Sequence, residues 1–239
     1  MTSSLESDMG YLPEIERIMP DLHVHKIQSN TDGLANEVVF VNDEFVFRFP
    51  KGEFGHLSLA RELQALSFLH GKVNLQIPEP LYASESAVVY RFIKGEPFLR
   101  ESLAALRPEE RAAAAEHLAA FLKAMHSIED VSLPYTSAPV DSAAFQKQRQ
   151  AARQKVYPHL LPHQVAWAEQ VYAFIDQPDA FTYKPVLVHG DLAPYHILFD
   201  PQSHQVRGVI DFGVSGLGDP ASDLGSLLGY YAPANWVWT

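Results

Sequence analysis

The sequence predicts an α+β protein with a sheet-rich N-terminal part and a mostly helical C-terminal part, and three observations predict it. Runs of β-branched and aromatic residues dominate the first ninety or so positions. Ala- and Leu-rich helical periodicity then runs from Pro108 to His126. Short apolar runs broken by polar turns return after Pro185. At 239 residues the chain exceeds one minimal domain and falls short of two typical ones, so it reads as one two-lobed unit or two small domains. With 47% hydrophobic and 20% charged residues, including 14 Phe and 10 Tyr, it can fill a sizeable core, which excludes disorder as its main state.

In order along the chain, Val38 to Val41 and Phe45 to Phe49 flank Asn42-Asp43-Glu44 and read as a hairpin that Pro50 and Gly52 end. Leu59, Leu63, Leu66, Phe68 and Leu69 recur at helical spacing between Leu57 and His70, and Gly71 stands where a helix end favours a left-handed residue. Pro78 and Pro80 open an extended piece. Ala87 to Ile93 reads as a further strand running into Lys94-Gly95-Glu96-Pro97, which places the lobe boundary between 1–93 and 94–239. Pro108 suits a first helical turn, and Glu109 and Glu110 suit the positive end of the helix dipole. Roughly Asp141 to Val156 and His163 to Ile175 read as two more helices, with Trp167, Tyr172 and Phe174 available for packing. Val186 to Val188, His196 to Phe199 and Val206 to Ile210 read as short strands.

The charge balance narrows the function. Eighteen Lys and Arg against 29 Asp and Glu give a formal charge of −11, which repels polyanions such as DNA and favours cationic partners or metals. The absence of cysteine excludes disulfides, thiolate zinc sites and thiol nucleophiles, and suits a reducing cytosol. The first ten residues carry Glu6 and Asp8 and lack the pattern of a secretory signal, while the uncharged stretch Leu224 to Thr239 contains Gly225, Gly229, Pro233 and Asn235 and falls short of a membrane span. These features lead to the expectation of a soluble, cytoplasmic protein.

The chemistry is concentrated in VLVHGDLAPYHILFDPQSHQVRGVIDFG. A buried strand delivers His189-Gly190-Asp191 into a loop, a second strand begins at His196, and a third ends at Asp211-Phe212-Gly213. Asp191 could accept a proton from an incoming hydroxyl, and Asp211, twenty positions later across a hairpin, could hold a hard cation. That is a layout for phosphoryl transfer, set against the alternative that these are ordinary strand-end polar residues.

The run His189-Gly190-Asp191, followed by Ile210-Asp211-Phe212-Gly213 and Gly218-Asp219-Pro220-Ala221-Ser222-Asp223-Leu224, resembles the aminoglycoside phosphotransferase family of the protein-kinase-like fold. Gly190 replaces the Arg of the kinase pattern. The resemblance covers roughly Thr31 to Tyr231 and implies an N-lobe of antiparallel sheet with one helix, a mostly helical C-lobe, and a nucleotide between them. It implies Asp191 and His189 as catalytic residues and Asp211 and His196 as ligands of Mg2+ or Mn2+. It places Gly33 in a loop over the phosphates, Arg48 on phosphate oxygens in place of the family's Lys, and Glu62 as its acidic partner. The main chain of Arg91 and Ile93 would meet the purine of ATP or GTP, with Tyr90 at the back of the pocket. His196, where the kinase pattern has Asn, brings the resemblance closest to the aminoglycoside 2″-phosphotransferases. A neutral imidazole is a poorer magnesium ligand than oxygen, so direct ligation and a hydrogen-bonding role stay open for it.

The same resemblance implies a nucleoside triphosphate donor and a cationic small-molecule acceptor, an aminoglycoside first and a macrolide, amino alcohol or sugar as alternatives. A weakly catalytic nucleotide-binding or interaction protein of the same fold is the rival reading, motivated by Arg48 and His196. Asp223 is expected to support the loop, His126 to be structural at a helix end bonding nearby backbone, and Asp200 and Asp219 to make turns. From Pro185 onward Arg207 is the single base among five aspartates, so that edge reads as acidic. Family members continue with further helices after this point, so the C-lobe is expected to be truncated on the acceptor side, with Trp236 and Trp238 near the terminus.

Overall fold

The computed structural model describes residues 10–134, 136, 143–177 and 182–231. Trp236 and Trp238 lie outside them.

Strands β1 (Ile27–Asn30), β2 (Asn36–Val41), β3 (Phe45–Pro50), β4 (Pro80–Ala83) and β5 (Val88–Arg91) form one sheet in the order β1-β2-β3-β5-β4, with every pairing antiparallel. The β2–β3 hairpin turns on Asn42 and Asp43, both at positive φ (58° and 55°), the backbone of a type I′ turn, which tolerates Asn and Asp. Asn42 also accepts from the amides of His25 and Lys26 and donates to the carbonyl of His23, tying the approach to β1 onto the turn.

Alternation splits the sheet into two working faces. Val39, Val41, Phe45, Phe47 and Val89 bury the outer face against Ile15 of α1 (Leu12–Ile18). The register lines up Gln28, Phe40, Val46 and Tyr90 in one row across the inner face and Asn30, Val38, Arg48 and Val88 in the next. Helix α2 (Gly52–Leu69) packs on that inner face through Leu59, Glu62, Leu66 and Leu69, a buried stripe at spacings of three and four. The helix begins five residues before the apolar periodicity predicts, because its opening residues expose Glu53, Phe54 and Leu57 and bury only the side-chain-less Gly55, so they carry no apolar stripe. Gly71, at φ +70°, follows its end as predicted.

Beyond the sheet come β6 (Glu96–Pro97), α3 (Arg100–Ala105) and α4 (Pro108–His126). The Glu110 carboxylate accepts from the Arg107 amide and so caps the start of α4. Helix α4 buries Ala114, Leu118, Phe121, Leu122 and Met125 in the larger core, which continues into α2, Phe98 and Phe212. Each large side chain so buried contributes about 1.5–3 kcal/mol. Helices α5 (Ala143–Lys155) and α6 (Pro162–Ile175) follow. Their aromatic residues do not enter a core: no residue of α6 is buried, Trp167 is 60% and Phe174 56% exposed, and Tyr172 stacks under the Arg149 guanidinium at 4.3 Å.

The remaining elements are β7 (Val186–Val188), β8 (Ile197–Asp200), β9 (Gln205–Val209), β10 (Gly216–Gly218) and α7 (Ala221–Tyr231). β6, β8 and β9 form one small sheet and β7 pairs with β10 in another. His196 closes a 3-10 turn, Pro194–His196, instead of opening β8, because its amide turns back to the Ala193 carbonyl at 2.9 Å. Part of the stretch Leu224 to Thr239 is thereby a helix, α7, and among the described residues no helix is long and apolar enough to cross a membrane. The whole is the two-lobed α+β architecture predicted from the sequence.

Candidate active site

A cleft of about 530 Å³ runs between the inner face of the five-stranded sheet and the edge carrying β8 and the segment after β9. Both inner-face rows line it through Gln28, Asn30, Val38, Phe40, Val46, Arg48 and Tyr90, while His196, Leu198, Ile210 and Asp211 face them from the other side. The 91–93 segment borders the cleft, and the Phe92 amide is already committed to the Glu44 carbonyl at 2.7 Å. That leaves the flanking main chain of Arg91 and Ile93, the positions singled out in the sequence, along the wall.

At one end of the cleft Arg48 is gripped from several sides. Its Nη1 donates to both oxygens of Glu62, at 2.8 and 2.6 Å, and its Nη2 reaches Asp211 Oδ1 at 3.1 Å. With its amide oxygen turned toward Arg48, Asn36 accepts from the same Nη2 at 2.8 Å. Glu62 is fully buried in the apolar stripe of α2, and it accepts a further hydrogen bond from the Tyr90 hydroxyl at 2.6 Å. Burial pushes the Glu62 carboxyl above its ordinary value, and Arg48 and Tyr90 oppose that rise. For Arg48, burial works against the charge, but Glu62 and Asp211 outweigh it and hold the guanidinium firmly protonated. The predicted Arg48 and Glu62 pair is present, and the bridge to Asp211 joins strand β3 to the segment after β9.

Asp211 sits at φ +68°, a left-handed conformation that costs a non-glycine residue about 1–3 kcal/mol and recurs at functional sites. Burial would raise its carboxyl, but hydrogen bonding from His196 and the charge of Arg48 hold it well below the usual carboxylate range. His196 Nδ1 donates to the backbone carbonyl of Asp191 at 2.8 Å, which fixes the ring and turns Nε2 to Asp211 Oδ2 at 3.2 Å. Burial alone would lower the imidazole's pKa; the bonds to Asp211 and Asp191 raise it instead. Asp191 is not part of the cleft wall. Its side chain is 44% exposed beside His196, in position to meet a group arriving from solvent.

The loop holding Asp191 is fixed from beneath. Asp223, on the first turn of α7, is buried and accepts from the amides of His189 and Gly190, both at 3.1 Å, and pairs with His126 Nε2 at 2.9 Å. His126 therefore serves this carboxylate rather than nearby backbone. Gly190, at φ +85°, stands where a Cβ would meet the Val214 carbonyl at 2.9 Å, so the Arg of the kinase pattern has no room there.

Two further expectations are corrected. His189 is fully buried, with Nε2 on the Ile210 carbonyl at 3.0 Å and Nδ1 facing the Asp191 amide, so it positions the loop and touches no cleft. Its pKa is lowered by burial, consistent with a neutral ring that accepts at Nδ1. Gly33 is absent from the cleft wall because Lys51 Nζ holds its carbonyl at 3.0 Å, together with that of Thr31, and folds the loop onto the start of α2. The acidic edge is partly paired from within, Asp200 with Arg207 and Asp211 with Arg48. Asp200 and Asp219 make the predicted turns, accepting from Gln202 and Ala221 amides. Phe40, Ile210 and Leu198 also line the cleft, and no local signal marks them, because only the register brings them to face the same space.

A hard divalent cation has two protein groups to meet here, the Asp211 carboxylate and the His196 imidazole, and among the described residues no three His, Asp or Glu side chains are arranged to hold a metal ion by themselves. Magnesium keeps several waters and takes phosphate oxygens, so one carboxylate with one further donor fits such an ion.

Fold and site together define a kinase-like phosphotransferase, and the family comparison agrees: the chain matches the phosphotransferase enzyme family over residues 26–238 and belongs to it. Among individual proteins it is similar to an aminoglycoside 3′-phosphotransferase of Streptomyces fradiae, 30% identical over 117 residues, which is 48% of this chain and 43% of that protein. It is also similar to the solved GDP and kanamycin complex of the phosphotransferase APH(2″)-IIIa, with 27% identity and a TM-score of 0.82 over 94% of this chain and 79% of the other. A type I macrolide 2′-phosphotransferase, 20% identical with a TM-score of 0.73 over 95% of this chain and 78% of the other, shares the fold alone. The match thus spans less than half the length of the Streptomyces relative.

Proposed function

We propose that this protein transfers the γ-phosphoryl group of ATP or GTP to a hydroxyl of a small molecule, with an aminoglycoside as the leading acceptor. The observation that carries the reading is the Arg48–Asp211 contact at 3.1 Å, which sets a guanidinium and a carboxylate together at one end of a cleft large enough for a nucleotide. Residues 1–93 and 94–239 are taken as the two lobes that enclose it. The main chain of Arg91 and Ile93 would receive the purine, and Arg48, held by Glu62, the phosphates.

Asp211, with His196 as a second donor, would hold Mg2+ or Mn2+, which when bound neutralises charge on the phosphates. Asp191, half-exposed and held by the Asp223 clamp through its neighbours, would orient the acceptor hydroxyl and take its proton. The kanamycin and GDP held by the similar phosphotransferase support an aminoglycoside and a purine nucleotide. A panel of aminoglycosides, macrolides, amino alcohols and sugars, assayed for ATP and GTP consumption, tests the reading. Acceptor-dependent turnover with an aminoglycoside supports it, and turnover with none of the panel refutes it.

One observation favours a second reading, a nucleotide-binding protein with weak turnover: both oxygens of Asp211 are already engaged, Oδ1 by the Arg48 guanidinium and Oδ2 by the His196 ring. Nucleotide binding without acceptor-dependent consumption would select it.

A further inference from the structure

We propose that Tyr90 is a positioning residue that couples the purine end of the cleft to its phosphate end. The inference rests on the nucleotide reading above. The phenol ring lies in the inner-face row Gln28, Phe40, Val46 and Tyr90 and forms part of the cleft wall next to the 91–93 segment. Its hydroxyl leaves that wall and donates to Glu62 Oε1 at 2.6 Å. Glu62 in turn receives Arg48 Nη1 on both oxygens, and Arg48 Nη2 spans to Asp211. One side chain therefore shapes the space for the base and fixes the acid that aims the guanidinium.

The coupling has a physical cause in the burial of Glu62. A fully buried carboxylate cannot replace a lost donor with water, so its orientation depends on the donors the protein supplies. Arg48 supplies two of its hydrogen bonds from β3, and Tyr90 supplies a third from β5. With Tyr90 in place, Oε1 is held between a phenol and a guanidinium, and the carboxylate plane is set. Without the hydroxyl, Glu62 is constrained only by the group it is meant to constrain. Arg48 is then free to settle further onto Asp211 and withdraw from phosphate oxygens. The desolvated hydroxyl also stays protonated, since burial and the Glu62 charge both raise its pKa, so it remains a donor across the accessible pH range.

Tyr90→Phe keeps the ring in the cleft wall and removes only the donor. The full-length protein and this variant are compared for binding of guanosine and adenosine, which lack phosphates, and of GTP and ATP with Mg2+, by displacement of a fluorescent nucleotide. Triphosphate affinity is expected to fall about tenfold, the equivalent of one charge-assisted hydrogen bond, while nucleoside affinity stays within about twofold. Glu62→Gln, which retains the side chain's shape, should show the same selective loss and serves in its place if Tyr90→Phe does not fold. Equal losses for nucleoside and triphosphate, or none for the triphosphate, would overturn the coupling. A parent protein that binds neither triphosphate would instead remove the nucleotide reading, leaving the two failures distinct.

Discussion

Asp191 and His189 stand two positions apart in one loop, yet their surroundings give them opposite work. Asp191 has no part in the cleft wall and opens to solvent, so Asp191→Asn should leave nucleotide affinity within about twofold while lowering phosphoryl transfer by about 10²–10⁴, the range for losing a general base. Parallel measurement of kcat and nucleotide Kd checks it, and turnover within tenfold of the parent would exclude Asp191 as the base. His189 is buried as the neutral ring, with its pKa lowered from 6.5. Protonation therefore favours the unfolded chain: the stability His189 contributes is fully present above pH 6.5 and is lost as the pH falls toward its depressed native value. Urea unfolding at pH 8 and pH 5.5 should show a smaller drop for His189→Gln than for the parent. The comparison cancels the opposite contribution of His196, whose pKa is raised.

Among the elements, α7 matters through its first turn. Asp223 presents a buried carboxylate to two loop amides and His126, so one short helix fixes the geometry of the Asp191 loop and joins it to α4. Asp223→Ala leaves the buried His189 amide without its acceptor and removes the partner of the Gly190 amide and the His126 ring, and should cost about 1–3 kcal/mol, the scale of a buried donor left unpaired. A urea midpoint shifted by less than the equivalent of about 1 kcal/mol would show that water replaces the carboxylate. Helix α2 carries the other decisive acid, and here the sequence held a clue. Glu62 interrupts the stripe of Leu59, Leu66 and Leu69, and a carboxylate on a buried face requires partners.

On the scale of the molecule, the cleft is lined by both the five-stranded sheet and the segments around β8 and β9, so a ligand there bridges the lobes. A triphosphate at about one hundred times its Kd should stabilise the folded chain by about 2.7 kcal/mol, or roughly 5–10 °C in Tm. Calorimetry with the nucleotide and Mg2+ tests this, and a second, unshifted transition would show that the lobes unfold independently of the ligand.

Local sequence was enough for the hairpin at Asn42-Asp43, for helix α4, and for the order His189, Asp191, Asp211, because turn chemistry, periodicity and motif spacing are written in neighbouring residues. The pairing of Arg48 with Glu62 came from the family resemblance rather than from any local run, one residue lying on a strand and the other on the following helix. Tertiary structure alone decided that His189 faces inward, that Gly33 is drawn from the cleft by Lys51, and that Arg48 meets Asp211, 163 positions away. Each of those outcomes depends on which donors and acceptors burial brings within hydrogen-bonding distance, and that is set by strand register and lobe packing rather than by any local run of residues.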